Sequence, residues 1–177
     1  MDHALADGLD RTWRLLAAAV RDPRAALRLL VVATVGPAGP EARTLVLRGV
    51  DSSARTLRFF TDVRSAKVAA IAARPAVAVV GYDPALGLQL TFHGAATIAT
   101  TGNDVDADWG TVRPRAYRDY LGGISVSEAD DAAIARANFA VLTICVDRAE
   151  WLELSHGGNT RAGYRYEAGE WLGRPLV

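Results

Sequence analysis

From Leu86 to Thr100 the side chains alternate: Leu88, Leu90 and Phe92 fall on one face of an extended chain, and Gln89, Thr91 and His93 on the other. A period of two over that length predicts a strand with one buried face. Strand-like segments recur upstream. Residues 27–35 are apolar and β-branched, Gly36-Pro37-Ala38-Gly39-Pro40 is a turn, residues 42–50 resume as a strand, Asp51-Ser52-Ser53 turns again, and residues 56–61 form a third strand. Connections this short favour an antiparallel meander.

The period then changes. Residues 65–73 predict a short helix with Ser65 at its N-cap, where a hydroxyl can accept from the free amides of the first turn, and Pro75 closes it. Residues 76–80 are continuously apolar, which predicts a strand buried on both faces, and Tyr82-Asp83-Pro84 turns the chain. Upstream, Leu5, Leu9, Trp13, Leu16 and Val20 form one stripe at helical spacing, and Asp22-Pro23 ends that helix. Residues 103–120 and 127–138 read as helical or irregular, 139–146 as a strand that 151–154 extends past a bulge, and 161–166 and 171–177 as the last strands. The expectation is one domain over residues 1–177, mainly β with flanking helices (α+β). It comprises an N-terminal helix (1–21), a barrel core (27–100), a helical segment (103–138) and C-terminal strands (139–177). Six or seven antiparallel strands with few helices point to a closed or split β-barrel rather than a doubly wound sheet.

Twenty basic side chains balance twenty acidic ones, so no net field draws the chain to nucleic acid or to a membrane surface. No leader pattern or spanning stretch is visible, which makes a cytoplasmic location the expectation. Cys145, the one cysteine, lies within an apolar run and reads as a buried small hydrophobe. There is no dinucleotide or phosphate-loop fingerprint and no nucleophile elbow. His3, His93 and His156 are widely separated, so no metal site is expected, and His93 reads as a strand residue.

Three polar features interrupt the apolar pattern. In Arg43-Thr44-Leu45-Val46-Leu47-Arg48 a cation shares a strand face with Leu45 and Leu47, where it needs a partner. In Phe59–Lys67 a strand ends and a helix begins with Ser65 and Lys67 in its first turn. A helix N-terminus favours an anion, and a lysine there opposes the dipole. An anionic ligand clamped by Arg43 would remove that conflict. The alternatives are a solvated Lys67 and an Arg43 paired with Glu41 or Asp62. Gln89, on the polar side of its strand, offers a donor and an acceptor to a heteroaromatic edge.

The order R-x-x-x-L-[KR], then F-[FY]-T-[DN]-x-x-S-x-K, then R-P with an apolar strand, then Q-x-x-x-x-G resembles the pyridoxamine 5′-phosphate oxidase superfamily. Here it reads Arg43–Arg48, Phe59–Lys67, Arg74-Pro75 through Val80, and Gln89–Gly94. The subgroup it is most similar to is the FMN-binding oxidase-related proteins without assigned substrates. The resemblance covers residues 28–100 and resumes at 150–154 and 160–162. It implies a split-barrel homodimer with FMN at the interface. Arg43 and Lys67 would hold the phosphate, with Ser65 and Ala66 starting the phosphate-side helix. Thr44, Leu45 and Val46 would lie along the flavin, Phe60 and Thr61 against ring or ribityl atoms, Gln89 at the ring edge and Arg161 approaching from the C-terminal segment. Ala66 stands where the family pattern has arginine, residues 122–129 show no match to the family's partner-chain contact, and Leu152 takes the place of a flavin-facing tryptophan.

The positions matching the oxidases' grip on substrate phosphate are Arg48, Trp109, Arg113 and Tyr117. Of these only Arg113 keeps its type, which implies a small anionic or amine substrate other than pyridoxamine 5′-phosphate; Trp109 and Tyr117 read equally well as core aromatics. An FMN-dependent oxidoreductase is the first expectation, a non-catalytic flavin-binding or sensing module the second. A third is a barrel for deazaflavin or for haem, the latter needing His93 or His156 as axial ligand.

Overall fold

A computed structural model describes residues 3–123, 127–155 and 158–176; His156 and part of the 122–129 segment lie outside them. The amphipathic helix α1 (His3–Arg21) leads through a single 3-10 turn (Ala26–Arg28) into β1 (Leu29–Gly36), β2 (Gly39–Asp51) and β3 (Thr56–Asp62). Then come α2 (Ala66–Ala73), β4 (Ala76–Asp83) and β5 (Leu88–Ala99). A helical segment of α3 (Asn103–Gly110), α4 (Arg118–Leu121) and α5 (Glu128–Asn138) precedes β6 (Phe139–Glu153), β7 (Thr160–Glu167) and β8 (Glu170–Leu176).

The eight strands lie in the order β3-β2-β1-β4-β5-β6-β7-β8, and β3 also pairs with β6. That pairing, from Thr56↔Cys145 to Asp62↔Phe139, closes six strands into a barrel. All the strand pairs are antiparallel, and β7 and β8 form a hairpin appended to the wall. The expected six or seven strands thus become six in the barrel plus two.

Closure gives each strand one inward face. Leu30, Val32, Leu47, Leu57, Phe59 and Phe92 are fully buried there, each contributing about 1.5–3 kcal/mol by leaving water. The stripe of α1 plugs one barrel mouth with Leu9, Trp13 and Leu16, Trp13 packing 6.1 Å from Phe92. Gly8 lets that helix approach closely, since a Cβ there would fall 2.7 Å from the Tyr164 hydroxyl. Residues 76–80 do not have two buried faces: Val77 and Val79 point inward and Ala76 outward, because helices cover the outer side of the wall only around Phe60, Phe139 and Val141. For the same reason Cys145 is exposed. Ile144 and Val146 take the inward positions, so the expectation of a buried thiol is corrected.

A second, smaller core lies outside the barrel, where α3, α4 and α5 cover β3 and β6. Val105, Tyr120, Leu121, Phe139 and Val141 are buried in it, with Phe60, Trp109 and Tyr117 packed against them.

Candidate functional site

At the end of β3 the chain turns into α2 and brings two cations together. Lys67 Nζ donates to Thr61 Oγ1 at 3.0 Å and to Ser65 Oγ at 2.9 Å. Burial lowers the Lys67 pKa, the Arg43 charge lowers it further, and Asp62 offsets part of this. Arg43 reaches the corner from β2, sharing the inward face with Leu45 and Leu47. Its Nη1 donates to Thr34 Oγ1 at 2.7 Å, and its Nη2 to Glu41 Oε2 at 2.8 Å. Of the two carboxylates open to Arg43 in the sequence, Glu41 is the one used; Asp62 is held by Arg64 through backbone and guanidinium. Ser65 has N-cap dihedrals, but its hydroxyl accepts no amide. It donates to the Asp62 carbonyl at 2.7 Å instead, which leaves its lone pairs for Lys67. Ala66, next to it, is exposed.

The outer face of the sheet carries a second group. Registers Thr44↔Val31, Val31↔Val80, Val80↔Thr91 and Thr91↔Glu150 place these residues in one row across five strands. A parallel row holds Tyr82↔Gln89↔Leu152↔Arg161. Leu29, Val31 and Tyr82 are exposed on this face, with Val46 opposite Leu29. Gln89, His93, Glu150, Leu152 and Arg161 line a shallow groove of about 290 Å³, in which Arg161 pairs with Glu150 at 2.8 Å.

Between β2, β3 and the helical segment lies a cleft of about 510 Å³, lined by Arg28, Arg48, Phe60, Asp108, Arg113 and Tyr120 among others. The Arg48 guanidinium sits 5.2 Å above the Phe60 ring. Burial and the neighbouring Arg28 charge lower its pKa. Arg28 donates to the Ala19 and Val20 carbonyls at the end of α1. Burial pushes the Tyr120 phenol up to about 12, against the opposing pull of Arg48, so this hydroxyl is a donor throughout the neutral range. Burial also raises the Asp108 carboxyl, which Arg58 partly offsets.

Of the residues expected to grip substrate, the structure brings Arg48 and Arg113 into this cleft. Trp109 and Tyr117 stack on each other with centroids 4.9 Å apart and 16° between planes, on the second core. Tyr120, Asp108 and Arg28 were not singled out from sequence. Tyr120 follows Tyr117 by three residues, and a helical pattern does not tell which of the two meets β3.

The family model for the pyridoxamine 5′-phosphate oxidase FMN-binding domain matches residues 10–100, just over half the chain. The chain belongs to this family. Curated pyridoxine/pyridoxamine 5′-phosphate oxidases are similar to it: that of Pseudomonas fluorescens is 35% identical over 107 residues, 60% of this chain and 48% of the relative. That of Thermobifida fusca is 44% identical over 68 residues, 38% of this chain and 30% of the relative. The chain spans about half or less of these relatives' length. Among solved structures, a pyridoxamine 5′-phosphate oxidase-related, FMN-binding protein from Nostoc punctiforme is 26% identical, with a TM-score of 0.75 over 94% of this chain and 96% of the other. PhzG from Burkholderia lata, in complex with tetrahydrophenazine-1-carboxylic acid, shares the fold at 18% identity, with a TM-score of 0.74 over 97% of this chain and 91% of the other.

FMN is the cofactor of the family. The block matched by the FMN-binding oxidase family holds Arg43, Thr61, Ser65, Lys67 and Gln89, whereas Asp108, Arg113, Tyr120 and Arg161 lie beyond it. The cation corner is therefore in the family-defining part, and the helical wall of the cleft is not.

Proposed function

We propose that this chain binds FMN at the interface of a homodimer and acts as an FMN-dependent oxidoreductase on a small anionic or amine substrate other than pyridoxamine 5′-phosphate. The observation that carries this reading is the corner where Lys67 meets the charge of Arg43. Lys67 is hydrogen-bonded to neutral hydroxyls and feels the Arg43 charge, so a phosphomonoester there would accept from both cations. Thr61, Ser65 and Ala66 would border that phosphate. Thr44, Leu45 and Val46 on β2, with Phe60, would flank the rest of the cofactor. Gln89 would hydrogen-bond the ring edge, and Arg161 would approach from β7. Exposed Leu29, Val31 and Tyr82 on the outer face supply an apolar strip for a second copy. Among the described residues no helix is long and apolar enough to cross a membrane.

FMN, when bound, supplies a hydride acceptor; position and electrostatics come from the protein. In the cleft Arg48 and Arg113 would orient an anionic group, and the protonated Tyr120 would donate to it. A second reading, a non-catalytic flavin-binding module, is favoured by the stacking of Trp109 on Tyr117, which leaves two of the four expected substrate contacts in the cleft. A visible spectrum and anaerobic reduction divide the two. Paired flavin bands that bleach with a reduced nicotinamide or an amine donor support the enzyme. Bands that no donor bleaches support the module. A protein that takes up no FMN contradicts both, and a Soret peak would return the haem alternative with His93 or His156.

A further inference from the structure

Arg43 carries a carboxylate of its own. Glu41 Oε2 accepts from Arg43 Nη2 at 2.8 Å, and the pair is partly solvent-accessible, 22% for Arg43 and 38% for Glu41. The β1–β2 hairpin makes room for this carboxylate: a Cβ at Gly36 would fall 2.4 Å from Glu41 Oε1. Arg43 is further fixed by Thr34 Oγ1 and by the Glu41 carbonyl at 3.3 Å, so the guanidinium stays in place whichever anion it holds. Lys67, by contrast, donates to hydroxyls alone among the contacts described.

Resting on the placement of the FMN phosphate at Arg43 and Lys67, we infer that Glu41 competes with that phosphate for Arg43 and sets how tightly FMN is held. A dianionic phosphate arriving at the corner meets the Glu41 charge and must displace or share it. The contest between the two anions is for the one guanidinium, and salt screens it. Glu41 neutralises the guanidinium while the corner has no other anion, and its exposure leaves it a path to swing into water. Glu41 thus lowers FMN affinity without touching the ring, and riboflavin, which has no phosphate, is blind to it.

The test is fluorescence titration of the full-length protein with FMN and with riboflavin, in wild type, Glu41→Gln and Glu41→Ala. The expected result is FMN binding about two- to fivefold tighter in both variants, in the range of a partly exposed ion pair, with riboflavin binding unchanged. The gain should shrink in high salt and vanish when Arg43→Ala is added, because the coupling runs through that guanidinium. FMN affinity equal to wild type or weaker in both variants overturns the inference, as does equal tightening of riboflavin. The reading beneath it fails separately, if Arg43→Ala with Lys67→Ala leaves FMN affinity unchanged.

Discussion

The Lys67 ammonium and the Arg43 guanidinium share one corner of the barrel, close enough for the Arg43 charge to lower the Lys67 pKa. Thr61 and Ser65 hydroxyls accept from Lys67, and dipoles of that kind compensate a half-buried cation less than a charge would. The corner is therefore held ready for an anion by the meeting of β2, β3 and α2.

The lowered Lys67 pKa has a definite sign. A lysine less basic in the folded state than in the unfolded one costs stability at neutral pH. The cost is lifted as pH rises from the folded pKa toward the unfolded value near 10.5. Melting temperature of the FMN-free protein should show a gain on that alkaline limb which Lys67→Met lacks. FMN affinity should fall over the same limb, as the ammonium loses its proton. Superimposable pH profiles for the two proteins would count against the buried-cation argument.

Tyr120 gives a spectroscopic marker of the cleft. Ultraviolet titration of the five tyrosines should find the last ionising at about 12, with that step absent in Tyr120→Phe. Because this phenol is less acidic folded than unfolded, its contribution to stability is present below about pH 10 and is lost as pH rises toward 12. A variant that keeps the step at about 12 would show that Tyr120 is not the last phenol to ionise.

The β5–β6 pairing shifts register at His93/Gly94, and a Cβ at Gly94 would lie 2.0 Å from the Cys145 carbonyl oxygen. A backbone atom cannot rotate aside, so Gly94→Ala should cost about 2–3 kcal/mol or more in denaturant unfolding. Gly110→Ala opens onto space and should stay within about 0.5 kcal/mol of wild type. Equal midpoints for the two variants would contradict the close approach at the bulge.

Cys145 should react with a small alkylating reagent in the native protein without prior unfolding, because it is exposed on β6. Protection until the protein unfolds would restore a buried thiol.

Much of the barrel was legible as alternation: Leu88, Leu90 and Phe92 face inward as the two-residue period requires, and the α1 stripe buries Leu9, Trp13 and Leu16. What local pattern does not carry is which apolar segment meets a second layer. The burial of 76–80 and of Cys145 depends on β3 pairing with β6, a contact between segments far apart in sequence. At the corner, the approach of Lys67 and Arg43 was readable from motif order. The division of carboxylates, Glu41 to Arg43 and Asp62 to Arg64, depends on side-chain reach that strand spacing leaves open. Tyr120 in the cleft, with Tyr117 stacked on Trp109, depends on the angle at which α4 docks.

The most direct measurement is an FMN titration of wild type against the Arg43→Ala, Lys67→Ala double variant, with riboflavin in parallel. Two lost charge-assisted hydrogen bonds should weaken FMN binding by about a hundredfold or more, with riboflavin affinity unchanged. FMN held by the double variant as tightly as by wild type would contradict the account.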